Sequence, residues 1–382
     1  MNITDNVRYV GVNDYDIDLF EGMYVVPNGM AYNSYVVLDE KIAVMDTVDK
    51  RFQKAWLDNV ESVLQGKEPD YLIVQHMEPD HSANISAFAK RYPSAIIVAT
   101  RQAFVMMQNY FGTDYAEKRL VVGDGDTLSL GGRTLSFVTA PMVHWPEVMM
   151  TFDDKDKILF SADAFGKFGT TDTDEEWACE ARRYYFGIVG KYGVQVRNVL
   201  QKIANLGVKT ICPLHGVVLQ ENVQDYMSLY QTWSGYEAED EGVFIAYTSV
   251  YGNTKKAVEL LELALKKRGV KTVVCDLARN DRAEAVEDAF RYSKTVFATT
   301  TYNGEIFPFM REFIYDLCER NFQNKTVGFI ENGSWAPMAG RVMRERLDKC
   351  KNLQFVEPVV TIFSAVKDEN VQQIEALADA LS

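Results

Sequence analysis

Tyr71-Leu72-Ile73-Val74-Gln75-His76-Met77-Glu78-Pro79-Asp80-His81 is a short apolar run that ends in a dense set of metal-binding side chains. The run Tyr71 to Gln75 has strand character, and His76 is the first residue beyond it. The four histidines of the 382-residue chain are His76, His81, His144 and His215, so none is left over for surface or packing duties. Asp163, at the end of Leu159-Phe160-Ser161-Ala162-Asp163, falls between the last two. Imidazole and carboxylate are the groups that bind borderline and hard first-row metals. His76, Glu78, Asp80 and His81, followed at a distance by His144, Asp163 and His215, make a ligand list for two metals rather than one.

The other candidates arrive in the same way. Leu135 to Ala140 reads as a strand leading to Pro141-Met142-Val143-His144, Lys157 to Ala162 as one delivering Asp163, and Thr210 to Pro213 as one delivering His215. Further strands are expected at Ser34 to Leu38 and Ile42 to Asp46, split by the charged turn Asp39-Glu40-Lys41. Helices are expected over Phe52 to Leu64, from near Ser82 or Asn84, and over Glu175 to Leu206. Loops after rigid strands are where ligands gather. Close antiparallel pairs and long helices point to sheet layers covered by helices, not to a doubly wound sheet.

The pattern changes after Ser234-Gly235-Tyr236-Glu237-Ala238-Glu239-Asp240-Glu241-Gly242, an acidic run bracketed by glycines that is expected to be an exposed linker. Beyond it strands at 243–247, 272–276, 295–299, 326–330 and 359–363 alternate with helices at 255–268, 282–292, 308–320, 339–349 and 369–381. Five strand–helix units describe an open parallel sheet of flavodoxin type. Two domains follow, residues 1–240 and 241–382.

Ligands of such sheets bind at the carboxyl ends of the strands. The first loop is Thr248-Ser249-Val250-Tyr251-Gly252-Asn253-Thr254-Lys255, whose hydroxyls and N–H groups at a helix start make a phosphate cradle. Thr299-Thr300-Thr301-Tyr302-Asn303-Gly304 and Glu331-Asn332-Gly333-Ser334-Trp335-Ala336-Pro337 leave neighbouring strands. They offer polar groups, with Tyr302 and Trp335 as flat faces for stacking.

Composition sets the outer limits. A net charge of −14 argues against nucleic acid or an acidic membrane surface as partner. No run approaches the roughly 18 apolar residues of a membrane span, and no signal peptide is visible, so a cytoplasmic protein is expected. The five cysteines form no C-x-x-C pair. Free thiols in a reducing compartment are expected, with no built-in rubredoxin-type or zinc-ribbon site.

The first half resembles a metallo-β-lactamase-type αββα sandwich, whose usual dimetal pattern is H-x-H-x-D-H with later His, Asp and His. Glu78 stands where those hydrolases carry a second histidine. The extra carboxylate favours iron or manganese over zinc by ligand type. With the flavodoxin-like half, the whole chain resembles the flavodiiron proteins. That resemblance implies one iron on His76, Glu78 and His144, another on Asp80, His81 and His215, and Asp163 bridging both. It implies FMN on Ser249, Gly252, Asn253 and Thr254, with Tyr251 in place of a small hydroxyl residue. Thr300, Thr301, Tyr302, Asn303, Gly304, Asn332, Gly333, Ser334 and Trp335 would surround the flavin ring. Trp145 and Trp335 are candidates for the flavin–iron junction. Electrons would pass from an external donor such as rubredoxin or a reductase through FMN to the irons, reducing O2 to water or NO to N2O. A head-to-tail homodimer, or a dimer of dimers, would join the flavin of one subunit to the irons of the other. Two alternatives stand beside this: a zinc-dependent hydrolase with a fused flavodoxin domain, and a non-catalytic electron carrier with a structural metal half.

Overall fold

The computed structural model describes residues 2–382. The chain forms two compact units, one reaching to Gln231 and one running from Thr232 to Ser382. The division falls within helix Val223–Gly235. The acidic stretch is not the exposed linker expected from composition. Ser234 and Gly235 end that helix, Tyr236 is buried, and Asp240 already opens a strand. Asn321 Nδ2 reaches the Tyr236 hydroxyl (3.4 Å) and the Tyr236 ring lies 6.4 Å from Phe290. One large aromatic side chain outweighs the acidic residues around it, because a fully buried ring contributes about 1.5–3 kcal/mol.

The first unit is an αββα sandwich built on two mixed sheets. One has the spatial order Val7–Tyr9, Tyr35–Val37, Ala43–Met45, Tyr71–Ile73, Ile96–Ala99, Arg119–Val121. The other runs Thr127–Ser129, Thr134–Thr139, Met149–Asp153, Ile158–Phe160, Thr210–Cys212. Their facing side chains obey the two-residue period of a strand. Tyr35 and Val37, Ala43 and Met45, Tyr71 and Ile73 meet Leu135 and Phe137, Ile158 and Phe160 in one core. Helix Gln53–Leu64 buries Trp56, Val60 and Leu64, one stripe at four-residue spacing.

The helix expected over Glu175 to Leu206 is broken. Helix Trp177–Tyr184 passes into a π turn, Tyr185–Val189, and a 3-10 turn, Gly190–Tyr192, before helix Gly193–Ile203. Gly187 lies against the Tyr24 ring so closely that a Cβ would meet it at 2.9 Å, and the Tyr24 hydroxyl donates to the Gly187 carbonyl (2.8 Å). A side chain thus takes up backbone bonding at the point where the α ladder is wound wider.

The second unit is a doubly wound parallel sheet in the order second, first, third, fourth, fifth: Thr272–Asp276, Asp240–Tyr247, Tyr292–Tyr302, Thr326–Asn332, and an edge strand in two pieces. Those pieces, Gln354–Phe355 and Val360–Ile362, flank Pro358, which has no N–H to give a ladder. Helices Asn253–Lys267 and Asp368–Ala380 pack on Val243, Ile245, Val296 and Ile330 from one side. Phe244, Phe297, Phe313 and Phe329 form an aromatic layer. The order places the topological switch between the first and third strands, at the loops after Tyr247 and Tyr302.

Candidate metal centre and flavin loops

Each candidate ligand of the first unit lies just past the carboxyl end of a strand. His76 follows strand Tyr71–Ile73, and Glu78 precedes the single turn Pro79–Ser82 that carries Asp80 and His81. His144, Asp163 and His215 follow Thr134–Thr139, Ile158–Phe160 and Thr210–Cys212. The strands converge so that the seven side chains fall into two clusters, His76, Glu78, His144 and Asp163, and Asp80, His81 and His215.

In the first cluster, His76 Nε2 and His144 Nε2 lie 3.3 and 3.0 Å from Glu78 Oε2, and 3.2 and 3.0 Å from Asp163 Oδ2. In the second, His81 Nε2 and His215 Nε2 each lie 3.4 Å from Asp80 Oδ2, and 3.4 and 3.8 Å from Asp163 Oδ1. Asp163 therefore turns one oxygen to each cluster. Donor atoms about 2.0–2.2 Å from a shared ion sit roughly 3.0–3.4 Å apart along the edges of an octahedron or tetrahedron. The spacing within each cluster fits that geometry.

The protein alone leaves these groups ill served. Both oxygens of Asp80 and of Asp163 and the His81 Nδ1 are buried without a hydrogen-bond partner. His81 Nε2 and His215 Nε2 face each other at 2.9 Å. Buried polar atoms are almost always paired, and a convergent set of orphans marks a place for a cation. Electrostatics agrees. Burial opposes charge on His76, yet Asp163, Glu147 and Glu78 hold its pKa well above the ordinary value. Burial also opposes charge on His144, but Asp163 and Glu78 raise it to about 9. Burial would raise Glu78, but hydrogen bonds from His144 and His76 hold it well below the carboxylate range. The carboxylates demand positive charge.

Four neighbours escape a motif search. Glu147 Oε1 takes the His76 Nδ1–H at 2.8 Å and the Met77 N–H at 2.8 Å. Asp46, in a left-handed conformation (φ 53°), accepts from Gln75 N (2.7 Å) and Gln75 Nε2 (2.8 Å), anchoring the loop that starts at His76. His215 Nδ1 lies 2.8 Å from the Ala31 carbonyl. With Nδ1–H of His76 and His215 donating outward, the neutral form of each ring turns its Nε2 lone pair to the centre. Glu21 lies at the rim, where burial and then the Glu78 carboxylate raise its pKa to about 7. Glu147 follows His144 by three positions, and Asp46, like His76, follows a strand. Those are the only sequence signals they carry. Phe20, Tyr32 and Tyr184 pack around His215. Trp145 stands edge-on to His76, with centroids 5.2 Å apart.

In the second unit the three expected loops leave adjacent strands, and their bases are tied together. Thr248 Oγ1 and Thr299 Oγ1 are 2.6 Å apart, and Thr301 Oγ1 accepts from Met338 N (2.9 Å) and Ala339 N (3.2 Å). Two details differ from expectation. Thr300, Thr301 and Tyr302 belong to strand Tyr292–Tyr302, and Asn332 to strand Thr326–Asn332. Strand Tyr292–Tyr302 is prolonged because Asn303 and Gly304, both left-handed (φ 51° and 72°), make a tight hairpin onto Glu305–Ile306. Ser249 Oγ is also engaged within its own loop, accepting from Gly252 N (3.1 Å) and Lys255 N (3.3 Å).

The rest of this region suits an anionic, flat ligand. Helix Asn253–Lys267 begins at Gly252, and its first N–H groups have no intrahelical acceptor. Thr254 Oγ1 and Thr300 Oγ1 are buried and unpaired. Gly333 lets its chain pass Pro337, whose Cα would be 2.8 Å from a Cβ there. Beyond it, next to Ser334, Trp335 is 89% exposed, and Tyr251 of the first loop is 92% exposed. Large aromatics so open to water are surfaces suited to stacking.

Residues 30–216 match the family model described as ODP family beta lactamase. The chain is 28% identical to a nitric oxide reductase of Moorella thermoacetica, over 97% of this chain and 95% of that one. It is 29% identical to an anaerobic nitric oxide reductase flavorubredoxin of Salmonella arizonae, over 87% of this chain and 72% of that one. The fold matches the rubredoxin oxygen:oxidoreductase of Desulfovibrio gigas with a TM-score of 0.92, at 24% identity over 100% of this chain and 97% of that one. It matches the flavodiiron protein of Giardia intestinalis with a TM-score of 0.91, at 25% identity over 99% of this chain and 95% of that one. In fold, and in sequence over nearly its whole length, this chain resembles the flavodiiron proteins and the nitric oxide reductases akin to them.

Proposed function

We propose that the protein is a cytoplasmic oxidoreductase that reduces O2 to water, NO to N2O, or both, with electrons from an external donor such as rubredoxin or a reductase. The observation that carries the proposal is the Asp163 carboxylate, with one oxygen turned to each of two donor clusters. Two irons and one FMN, when bound, supply the redox chemistry, and the residues supply position and charge. His76, Glu78 and His144 would hold one iron, Asp80, His81 and His215 the other, and Asp163 would serve both. Glu147 and the Ala31 carbonyl fix the imidazole tautomers. Residues 1–240 carry this site and residues 241–382 the flavin site. The helix start at Asn253 and Thr254 receives the phosphate, together with Ser249 and Gly252. Tyr251 and Trp335 offer faces to the flavin, and Thr300 to Gly304 with Asn332 to Ser334 line its edge. A head-to-tail homodimer brings each flavin to the partner's irons. Glu78, a carboxylate where the related zinc hydrolases place an imidazole, favours iron chemistry over hydrolysis.

Anaerobic stopped-flow of the reduced protein against O2 and against NO tests the activity. Rapid reoxidation by at least one gas is expected, in protein holding about two irons and one FMN per chain. Reoxidation by neither, or zinc in place of iron after growth with iron, refutes it.

Glu147→Ala is expected to weaken metal retention about 10–100-fold, the usual effect of losing an outer hydrogen bond to a ligating histidine. Competition with a chelator measures it, and an unchanged curve would mean that Glu147 only packs. Asn253→Ala and Thr254→Ala are expected to lower FMN content while iron stays near the wild-type level, because the two sites belong to different compact units. Flavin and iron assays on the same preparation decide this, and joint loss of both would contradict it.

A further inference from the structure

Helices Pro308–Glu319 and Ala339–Leu347 of the second unit bring together two thiols that the sequence keeps 32 positions apart. Cys318 Sγ and Cys350 Sγ are 3.3 Å from one another. We propose that Cys318 and Cys350 are an oxidative modification site, closing into a reversible intramolecular disulfide when the protein meets hydrogen peroxide.

Both sulfurs are carried on backbone that other contacts hold in place. Cys318 sits in the last turn of its helix, with Sγ 3.6 Å from the Arg346 carbonyl. Cys350 N–H bonds the Leu347 carbonyl (2.9 Å), and its neighbour Lys351 pairs with Gln323 and accepts from Asn324 N (3.2 Å). The approach therefore belongs to the packing of the two helix ends rather than to loose side chains. A disulfide needs sulfurs about 2.05 Å apart, which a small side-chain rotation from contact distance supplies. Both residues are half-buried rather than sealed in the core, so a small oxidant can reach them.

The surroundings give the two thiols different roles. A hydrogen bond from Cys350 lowers the Cys318 pKa, and Lys349 and Arg346 add to this against the opposing effects of burial and of the Glu319 carboxylate. The same contact raises Cys350. Cys318 is thus the thiolate that attacks, and Cys350 the thiol that resolves. The Cys318 thiolate attacks one peroxide oxygen, the O–O bond breaks, and the departing hydroxide takes a proton to become water. The Cys350 sulfur then displaces hydroxide from the Cys318 sulfenic acid, and that hydroxide leaves as water with the Cys350 proton. Two thiols and one hydrogen peroxide become one disulfide and two waters. Thiols reopen the bridge by exchange, as expected of a responsive rather than a permanent disulfide in a reducing compartment.

The test uses the holoprotein, reduced with dithiothreitol, desalted and exposed to hydrogen peroxide at slight excess. Thiols titrated after unfolding should fall by two from the five present. Peptide mapping without reductant should recover a 318–350 cross-link, and dithiothreitol should restore all five thiols. Cys318→Ser should lose no pair of thiols under the same exposure, whereas Cys179→Ser should still lose two. Recovery of Cys318 and Cys350 as unlinked thiols or sulfinic acids overturns the proposal, as does a link to Cys179 or between chains.

Discussion

Asp163→Ala is expected to strip both irons from the protein, leaving the FMN in place. Its Oδ2 lies 3.0–3.2 Å from the imidazoles of one cluster and its Oδ1 3.4–3.8 Å from those of the other. Among the described candidate ligands, Asp163 is the one with an oxygen turned to the histidines of each set. Removing it takes one negative donor from each metal at once, so the loss should exceed the roughly 10–100-fold effect of an outer-sphere change. Asp163→Asn separates charge from shape. The amide keeps one acceptor oxygen but presents an N–H2 to the other cluster, and a donor cannot ligate a cation. It should retain at most one iron per chain. Metal analysis beside flavin absorbance reads both variants. Two irons in either variant would mean that the bridge belongs to another residue.

Activity is expected to reappear when two inactive chains are combined. Thr254→Ala, stripped of FMN, cannot take electrons from a donor to the flavin, and Asp163→Ala cannot pass them to a gas. A symmetric head-to-tail dimer makes its inter-subunit contact twice. On the proposed head-to-tail arrangement, one contact of a mixed dimer would join the intact flavin of one chain to the intact metal site of the other. The second contact joins two defective sites. Up to about half of the wild-type activity per mixed dimer should return, as one working junction of two gives. Subunit exchange is verified by differently tagged chains. Verified exchange with no recovery would mean that electrons stay within one chain.

Much of this was legible from residue order, because it depends on short-range regularities. Alternating apolar residues located the strands: the expected Thr272 to Asp276 is the observed Thr272–Asp276, and the run at Ile42 to Asp46 becomes Ala43–Met45. The histidines pointed to a candidate metal site, and the structure brings them together with carboxylates in two clusters. The break in the helix after Tyr184 was not legible, since the Tyr24 ring that lies against Gly187 there is far away in the chain. Nor was the buried Tyr236, which composition had placed in an exposed linker.

What the sequence determined by itself is the kind of chemistry each segment carries: ligand-type side chains after strands, and a hydroxyl-rich loop before a helix. These follow from local propensity and from the intrinsic affinities of side chains. Only the tertiary structure decided which groups meet. The two faces of Asp163, the Glu147 carboxylate on His76, the Ala31 carbonyl on His215 and the contact of Cys318 with Cys350 all join residues distant in the chain. Such pairings are set by how strands order and helices pack, because angstrom-scale distances between remote segments depend on the closure of the whole core.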